Sequence, residues 1–233
     1  MKKYKFFLLD ADHTLLDFEG DARAAVLQTM QEFGIPYTDD QYPIYQRCNN
    51  ACWQALENKE ITKDELSVKR FRDFFDVMGF CADAEKVAAR YPENIGEVGG
   101  RLLPETLQTI KALYQKGAQM YILSNGFAKS HNMRMERSGI LPYLKADFVS
   151  ENLGAEKPDK LFFDRAFAQI PDFCIEKAIM VGDSLSADMR GGIAAGVDTC
   201  WFNPTKANNI LKLPITMQIQ HLTDLVQLVE DIQ

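Results

Sequence analysis

The sequence predicts an α/β fold, a doubly wound, mostly parallel sheet with a helical domain inserted after its first strand. Three observations predict it. Short apolar runs at 5–10, 119–124 ("QMYILS") and 178–182 ("AIMVG") end in polar or small residues, as buried parallel strands do. Helix-length patterns separate the later runs, and that alternation builds a parallel sheet. The stretch 18–98 contains no convincing strand.

Taken in order, the first strand ends at Asp10 and runs into "ADHT". The insert follows as "DARAAVLQTMQEFG", "DDQYPIYQRCNNACWQALENKE", "TKDELSVKRFRDFFDVMGF" and "DAEKVAARYPENIGEV", all helical in pattern. Asp39 and Asp64 stand near helix starts, where a carboxylate suits the dipole. The division expected is a core of residues 1–17 and 99–233 and a helical cap of residues 18–98, of a size usual for a small domain. A helix at 105–115 follows Pro104, and strand 119–124 comes next. A helix at 129–138 closes on Gly139, before a weaker strand at 147–150. After "KPD" comes a helix at 160–169, then strand 178–182 and a helix at 185–195 closed by Gly196. A weaker strand at 199–202 and a helix at 222–232 complete the chain. Gly and Pro at these ends are the ordinary stops and starts of helices. "GGIAAG" lacks the spacing of a dinucleotide fingerprint and reads as close helix packing.

Bulk properties narrow the function. The 233 residues are 46% hydrophobic and 25% charged, an ordinary globular balance. A net charge of −7 argues against a nucleic-acid polymer as partner, which requires clustered Lys and Arg. No run approaches a membrane span. "MKKYKFFLLD" starts like a secretory leader, but Asp10 ends its apolar run after Phe6, Phe7, Leu8 and Leu9. The expectation is a cytoplasmic monomer. Five cysteines, an odd number without a C-x-x-C pair, fit reduced thiols; Cys48 and Cys52 share a helix face.

Chemistry gathers at one sheet edge. In open α/β sheets ligands bind beyond the carboxyl ends of the strands. Asp10 and Asp12 follow the first strand, Ser124, Asn125 and Gly126 follow the second long one, and "GDSLSAD", with Asp183 and Asp188, follows a third. Lys157 in "EKPD" precedes a helix on that side. Crowded carboxylates raise one another's pKa unless a cation intervenes, and Mg²⁺ prefers such oxygen ligands together with substrate phosphate. One aspartate can attack phosphorus while the other, two residues on, moves the proton. Ser124 and backbone N–H groups near Asn125 and Gly126 suit phosphoryl oxygens, and Lys157 suits the developing charge. Plainer roles compete with these: a helix N-cap for Asp183, an exposed helical acid for Asp188 and a solvated loop lysine for Lys157. His13 has no assignable chemistry and is expected to shape the entrance. Phe18 and Trp53 offer aromatic faces to a base, although core packing is the commoner use of such a tryptophan. Asn49, Asn50 and Arg70 are candidates for sugar or base contacts, with solvated surface positions as the default.

"DADHT", "SNG", a Lys before Pro, and "GD" with a later Asp, in this order, resemble the four motifs of the haloacid dehalogenase superfamily along the whole chain. The resemblance implies Asp10 as nucleophile, Asp12 as general acid/base, Thr14 as an orienting residue and Ser124 as a phosphate ligand. It further implies Mg²⁺ on Asp10, Asp183 and the backbone carbonyl of Asp12, with Asp188 bound directly or through water, and the insert as a cap over the site. "YQRCNNACWQALENKEITKDEL", "SNGF", "MRMERSGI" and "GGIAAGVDTCWFN" resemble the pyrimidine 5′-nucleotidase subgroup, which implies a small phosphorylated metabolite, a pyrimidine nucleoside 5′-monophosphate, as the substrate hydrolysed. A phosphatase of phosphoglycolate or a sugar phosphate, and a phosphomutase, remain alternatives on this fold. A dehalogenase has no leaving alkoxide to protonate and no need of Asp12. A silent binding protein would be expected to have lost part of the carboxylate set.

Overall fold

The computed structural model describes residues 2–230. Six strands form one parallel sheet: β1 (Phe6–Leu9), β2 (Gln119–Ser124), β3 (Ala146–Val149), β4 (Ala178–Gly182), β5 (Asp198–Phe202) and β6 (Met217–Ile219), in the order β3-β2-β1-β4-β5-β6. The chain builds outward from β1 through β2 to β3, then crosses to β4 on the opposite side of β1. That reversal leaves a crevice at the carboxyl ends of β1 and β4. Register sets what meets there: Leu9 is level with Ile122 of β2 and Val181 of β4. The residues just past those three positions therefore share one edge.

Side-chain alternation divides the core. Phe7 and Leu9 of β1 join Met120, Ile122, Ile179 and Val181 on one face, and Phe6 and Leu8 join Tyr121, Leu123 and Met180 on the other. The first face is covered by α5 (Thr106–Gln115) and by the C-terminal leucines, the second by α8 (Lys160–Phe167) through Phe162, Phe163 and Ala166. Each large side chain fully removed from water contributes about 1.5–3 kcal/mol. Gly191 and Gly192 bear out close packing as the reading of "GGIAAG": a Cβ would lie 2.5 Å from Phe163 Cε2 in the first case and 2.8 Å from Thr199 Cγ2 in the second.

Between β1 and α5 the described chain is helical: α1 (Phe18–Glu32), α2 (Tyr42–Glu57), α3 (Lys63–Met78) and α4 (Ala84–Val98). α1 packs on α4 and α2 on α3, around Tyr45, Phe71, Phe74 and Tyr91. The start of α3 is fixed by Thr62, which accepts from the Glu65 N–H while Glu65 reaches back to the Thr62 N–H. Cys48 and Cys52 are free thiols of α2, half-buried and buried. The remaining helices are α6 (Ala128–Ser138), α7 (Ser150–Leu153) and α9 (Arg190–Ala195).

Two expectations need correction, and one strand was not expected. The helix expected over 222–232 is instead a 3₁₀ segment, Leu222–Leu228, followed by Val229 bridged to Tyr4. Leu222, Leu225 and Leu228 recur every third residue, so the ~3-residue turn of a 3₁₀ helix buries all three together. Residues 231 and 232 of that expected helix lie outside the described residues. The helix expected from 185 opens with a π-helical turn, Leu185–Met189, in which Ser184 Oγ accepts the Ala187 N–H and Asp188 Oδ2 accepts the Ser184 N–H. β6 went unread, since its three residues carry no alternation long enough to register.

Candidate active site

Asp10 leaves β1 with its N–H donated to the Val181 carbonyl of β4, which aims the following turn at the crevice. Its two carboxylate oxygens each accept a hydrogen bond. Oδ1 accepts from Lys157 Nζ at 2.7 Å and Oδ2 from Thr14 Oγ1 at 3.1 Å. Thr14 Oγ1 also lies 3.3 Å from Asp183 Oδ1 and accepts from the Asp183 N–H, joining the ends of β1 and β4. One carboxylate oxygen from each of Asp10, Asp183 and Asp188 lies within 4.8 Å of the others.

Lys157 is buried and spends all its donors here. Its Nζ bonds Asp10 Oδ1, Asp188 Oδ1 and the Leu123 carbonyl, at 2.7, 2.7 and 2.6 Å. Burial alone would depress this ammonium, but the charges of Asp10 and Asp188 outweigh it and hold it protonated. Its backbone is clamped by Asn125, which accepts from the Lys157 N–H and donates to the Lys157 carbonyl, both at 2.8 Å. The Asn125 amide is thus engaged in positioning Lys157. Ser124, at the end of β2, is buried and accepts the Gly126 N–H at 3.0 Å.

Asp188 projects from the π-helical turn under Gly182, and its Oδ2 accepts the Ser184 N–H at 3.1 Å. Gly182 must lack a side chain, since a Cβ there would fall 2.2 Å from Asp188 Oδ2. Burial pushes Asp10 up to about 7 and Asp183 up to about 6, with neighbouring acids adding to the rise. Asp188 is likewise raised by burial, against the pull of Lys157. Three crowded oxygen donors, Asp10 and Asp188 buried and Asp183 half-buried, with raised pKa values fit a hard divalent cation better than a softer metal that takes nitrogen or sulfur.

Asp12 stands apart from this cluster. Its carboxylate is bound by both terminal nitrogens of Arg134, from α6, with Nη2 at 3.1 Å from Oδ2. Burial pushes Asp12 up, but Arg134, helped by His131 and His13, leaves it below the ordinary carboxylate range. Arg134 is buried, stacks 5.1 Å from the Phe18 ring and abuts Gly99, so it touches both connections to the helical insert. Sequence reading missed it, because α6 buries Ser130, His131, Arg134 and Met135 and no apolar stripe marks that face.

A cavity of about 890 Å³ opens above the acids. Asp10, Asp12, Ser124, Asn125, Gly126, Lys157, Asp183 and Asp188 line its floor, and Phe18, Asn49, Asn50, Trp53 and Arg70 line its helical wall. Thr14 is wholly buried behind Asp10. His13 is exposed at the rim with a left-handed φ of 62°, its ring edge-on to Phe18. Trp53 is half-buried and edge-on to Phe127, with Leu56 and Leu66 behind it. Arg70 is buried, contrary to the solvated position expected for it. No helix among the described residues is long and apolar enough to cross a membrane.

Comparison with known proteins agrees with this arrangement. A family model described as haloacid dehalogenase-like hydrolase matches residues 4–196. The HAD-hydrolase YfnB of Bacillus subtilis is 35% identical over 225 residues, 97% of this chain and 95% of its own. The pyrimidine 5′-nucleotidase PynA of Streptococcus pneumoniae is 36% identical over 223 residues, 96% of this chain and 94% of its own. The pyrimidine 5′-nucleotidase YjjG of Escherichia coli is 28% identical, covering 97% of this chain and 98% of its own. A crystal structure of YfnB bound to magnesium superposes with a TM-score of 0.92 at 34% identity, over 98% of this chain and all of that one. The sheet order, the acids at its carboxyl edge and these matches converge: the chain belongs to the haloacid dehalogenase-like hydrolase family.

Proposed function

We propose that this hydrolase is a phosphatase that cleaves phosphomonoesters through an aspartyl-phosphate on Asp10, with pyrimidine nucleoside 5′-monophosphates as its substrates. The observation that carries the mechanism is the unequal setting of two aspartates two residues apart. Asp10 sits among acids and Lys157, while Asp12 sits outside them on Arg134.

An oxygen of Asp10 attacks phosphorus as the bond from phosphorus to the ester oxygen breaks. Asp12 gives its proton to the departing alkoxide, then takes one from the water that attacks the phosphoryl-aspartate and returns Asp10. In the arrangement seen, Asp12 is ionised and bound by Arg134, so it must leave that pair and take a proton from water before it can deliver one. Lys157, its three donors engaged, acts on the phosphoryl oxygens through its charge, and the Ser124 hydroxyl with the turn that follows it would donate to them. Asp10, Asp183 and Asp188 would hold magnesium, with the Asp12 backbone carbonyl, and the ion would offset their charge and polarise the phosphate.

Residues 18–98 act in this reading as a cap over a core of residues 1–17 and 99–233, excluding water and contacting the leaving group through Phe18, Asn49 and Trp53. The nucleotide assignment is supported by two relatives named as pyrimidine 5′-nucleotidases along nearly the whole chain. Phosphate release measured across pyrimidine and purine nucleotides, sugar phosphates and phosphoglycolate tests it. Pyrimidine nucleotides should rank first, and an even ranking refutes the substrate while sparing the chemistry.

A further inference from the structure

Arg70 lies on the apolar stripe of α3 with Leu66, Phe71, Phe74 and Phe75, and only 2% of it is exposed. A guanidinium cannot shed its charge and carries five N–H donors, and buried charges are normally paired. Arg70 is not. Among the described residues it has no carboxylate partner, Nε and Nη2 donate to nothing, and Nη1 reaches only Asn49 Oδ1 at 3.4 Å. The charge is held by rings instead: its Cζ lies 4.6 Å from the centroid of Tyr91, 5.2 Å from Phe71 and 5.6 Å from Phe127. Ring faces stabilise a desolvated cation without consuming its donors.

Arg70 and Asn49 line the same cavity as Asp10, Asp183 and Lys157, on its helical wall. A phosphate placed for attack by Asp10, beside the Lys157 charge, turns the rest of its ester toward that wall. With Oδ1 directed at Arg70, the Asn49 amide nitrogen is also left to donate. A guanidinium with two unpaired nitrogens and an amide nitrogen beside it therefore stand on the wall that faces the leaving group.

We propose that Arg70, together with Asn49, recognises the leaving group by hydrogen bonding a carbonyl oxygen of its pyrimidine base, a specificity role that rests on the nucleotide reading above. Every pyrimidine nucleotide carries such an oxygen at C2, whereas adenine carries none. Trp53, edge-on to Phe127 at 6.2 Å, supplies an apolar surface beside it for the ring. Excluding a base that leaves a buried donor unpaired is a strong form of discrimination.

The test is the ratio of kcat/KM for uridine 5′-monophosphate to that for ribose 5-phosphate, which presents the same phosphorylated sugar without a base. Two variants are compared with the native chain: Arg70→Met, which removes the donors, and Asn49→Asp, which leaves Arg70 in place but gives it an internal counter-ion. The ratio should fall about tenfold or more in each, the worth of one charged hydrogen bond. A high native ratio that survives both substitutions overturns the role of Arg70 alone. If Arg70→Met does not fold, Asn49→Asp decides. A native ratio of about one or below overturns the nucleotide reading and this inference with it.

Discussion

Gly182→Ala adds one methyl group where β4 leaves the sheet, and the added carbon would land 2.2 Å from Asp188 Oδ2 and 2.4 Å from Asp188 Cγ. An ordinary contact requires the carboxylate to retreat by about 1 Å or more. The bond from Lys157 Nζ to Asp188 Oδ1, now 2.7 Å, then passes beyond hydrogen-bond range. Overpacking of a tight site costs about 1–3 kcal/mol and loss of a charged hydrogen bond about 1.5–3 kcal/mol, so about 2.5–6 kcal/mol in all. Urea unfolding measures that loss as a lower midpoint at unchanged slope. Phosphate release should fall about tenfold or more, because Lys157 loses an anchor that also fixes it on Asp10. A second measurement isolates the cause. In an Asp188→Gly background the whole clashing side chain is gone, including the Cβ that would lie 2.7 Å from the added carbon, and the same methyl should cost far less. Gly182→Ala with native stability and turnover, or an equal penalty in both backgrounds, refutes the reasoning.

Two further outcomes are expected. Asn125→Ala removes both 2.8 Å bonds to the Lys157 backbone, so it should cost about 1–3 kcal/mol in urea unfolding and lower kcat; native kcat would show that Lys157 does not depend on the clamp. Because the folded chain raises Asp10 to about 7 and Asp183 to about 6, it binds protons that the unfolded chain releases. The stability those protons confer is full below the ordinary carboxylate pKa and is lost as pH rises through about 6 to about 7. Calorimetry of metal-free protein should therefore show a falling unfolding midpoint across that window, restored by magnesium at its upper end. A midpoint that rises across it, or is indifferent to magnesium, contradicts the assignment.

The sheet and its acidic edge were legible because their signals are local. β1, β2 and β4 are buried on both faces and write unbroken apolar runs, and each run stops where a chemical group begins, at Asp10, Ser124 and Asp183. The C-terminal leucines misled because a spacing of three suits a 3₁₀ turn as well as the start of an α-helix. The burial of Arg70 and Arg134 was illegible for a different reason. Each is a charge on a helix, which taken alone points to solvent, and only the tertiary structure buries it. Arg70 did leave a trace, occupying a slot in the stripe of Leu66, Phe71, Phe74 and Phe75. Arg134 left none, since the partner that explains it, Asp12, lies 122 residues earlier in the chain.

The central claim is that Asp10 takes the phosphoryl group. Enzyme turning over uridine 5′-monophosphate with magnesium is quenched in acid and reduced with borohydride, which converts an acyl phosphate to homoserine, and the N-terminal peptide is sequenced by fragmentation. Homoserine at position 10, with Asp12 intact, is the predicted result. Homoserine at position 12, or none at either position while phosphate is released, contradicts it.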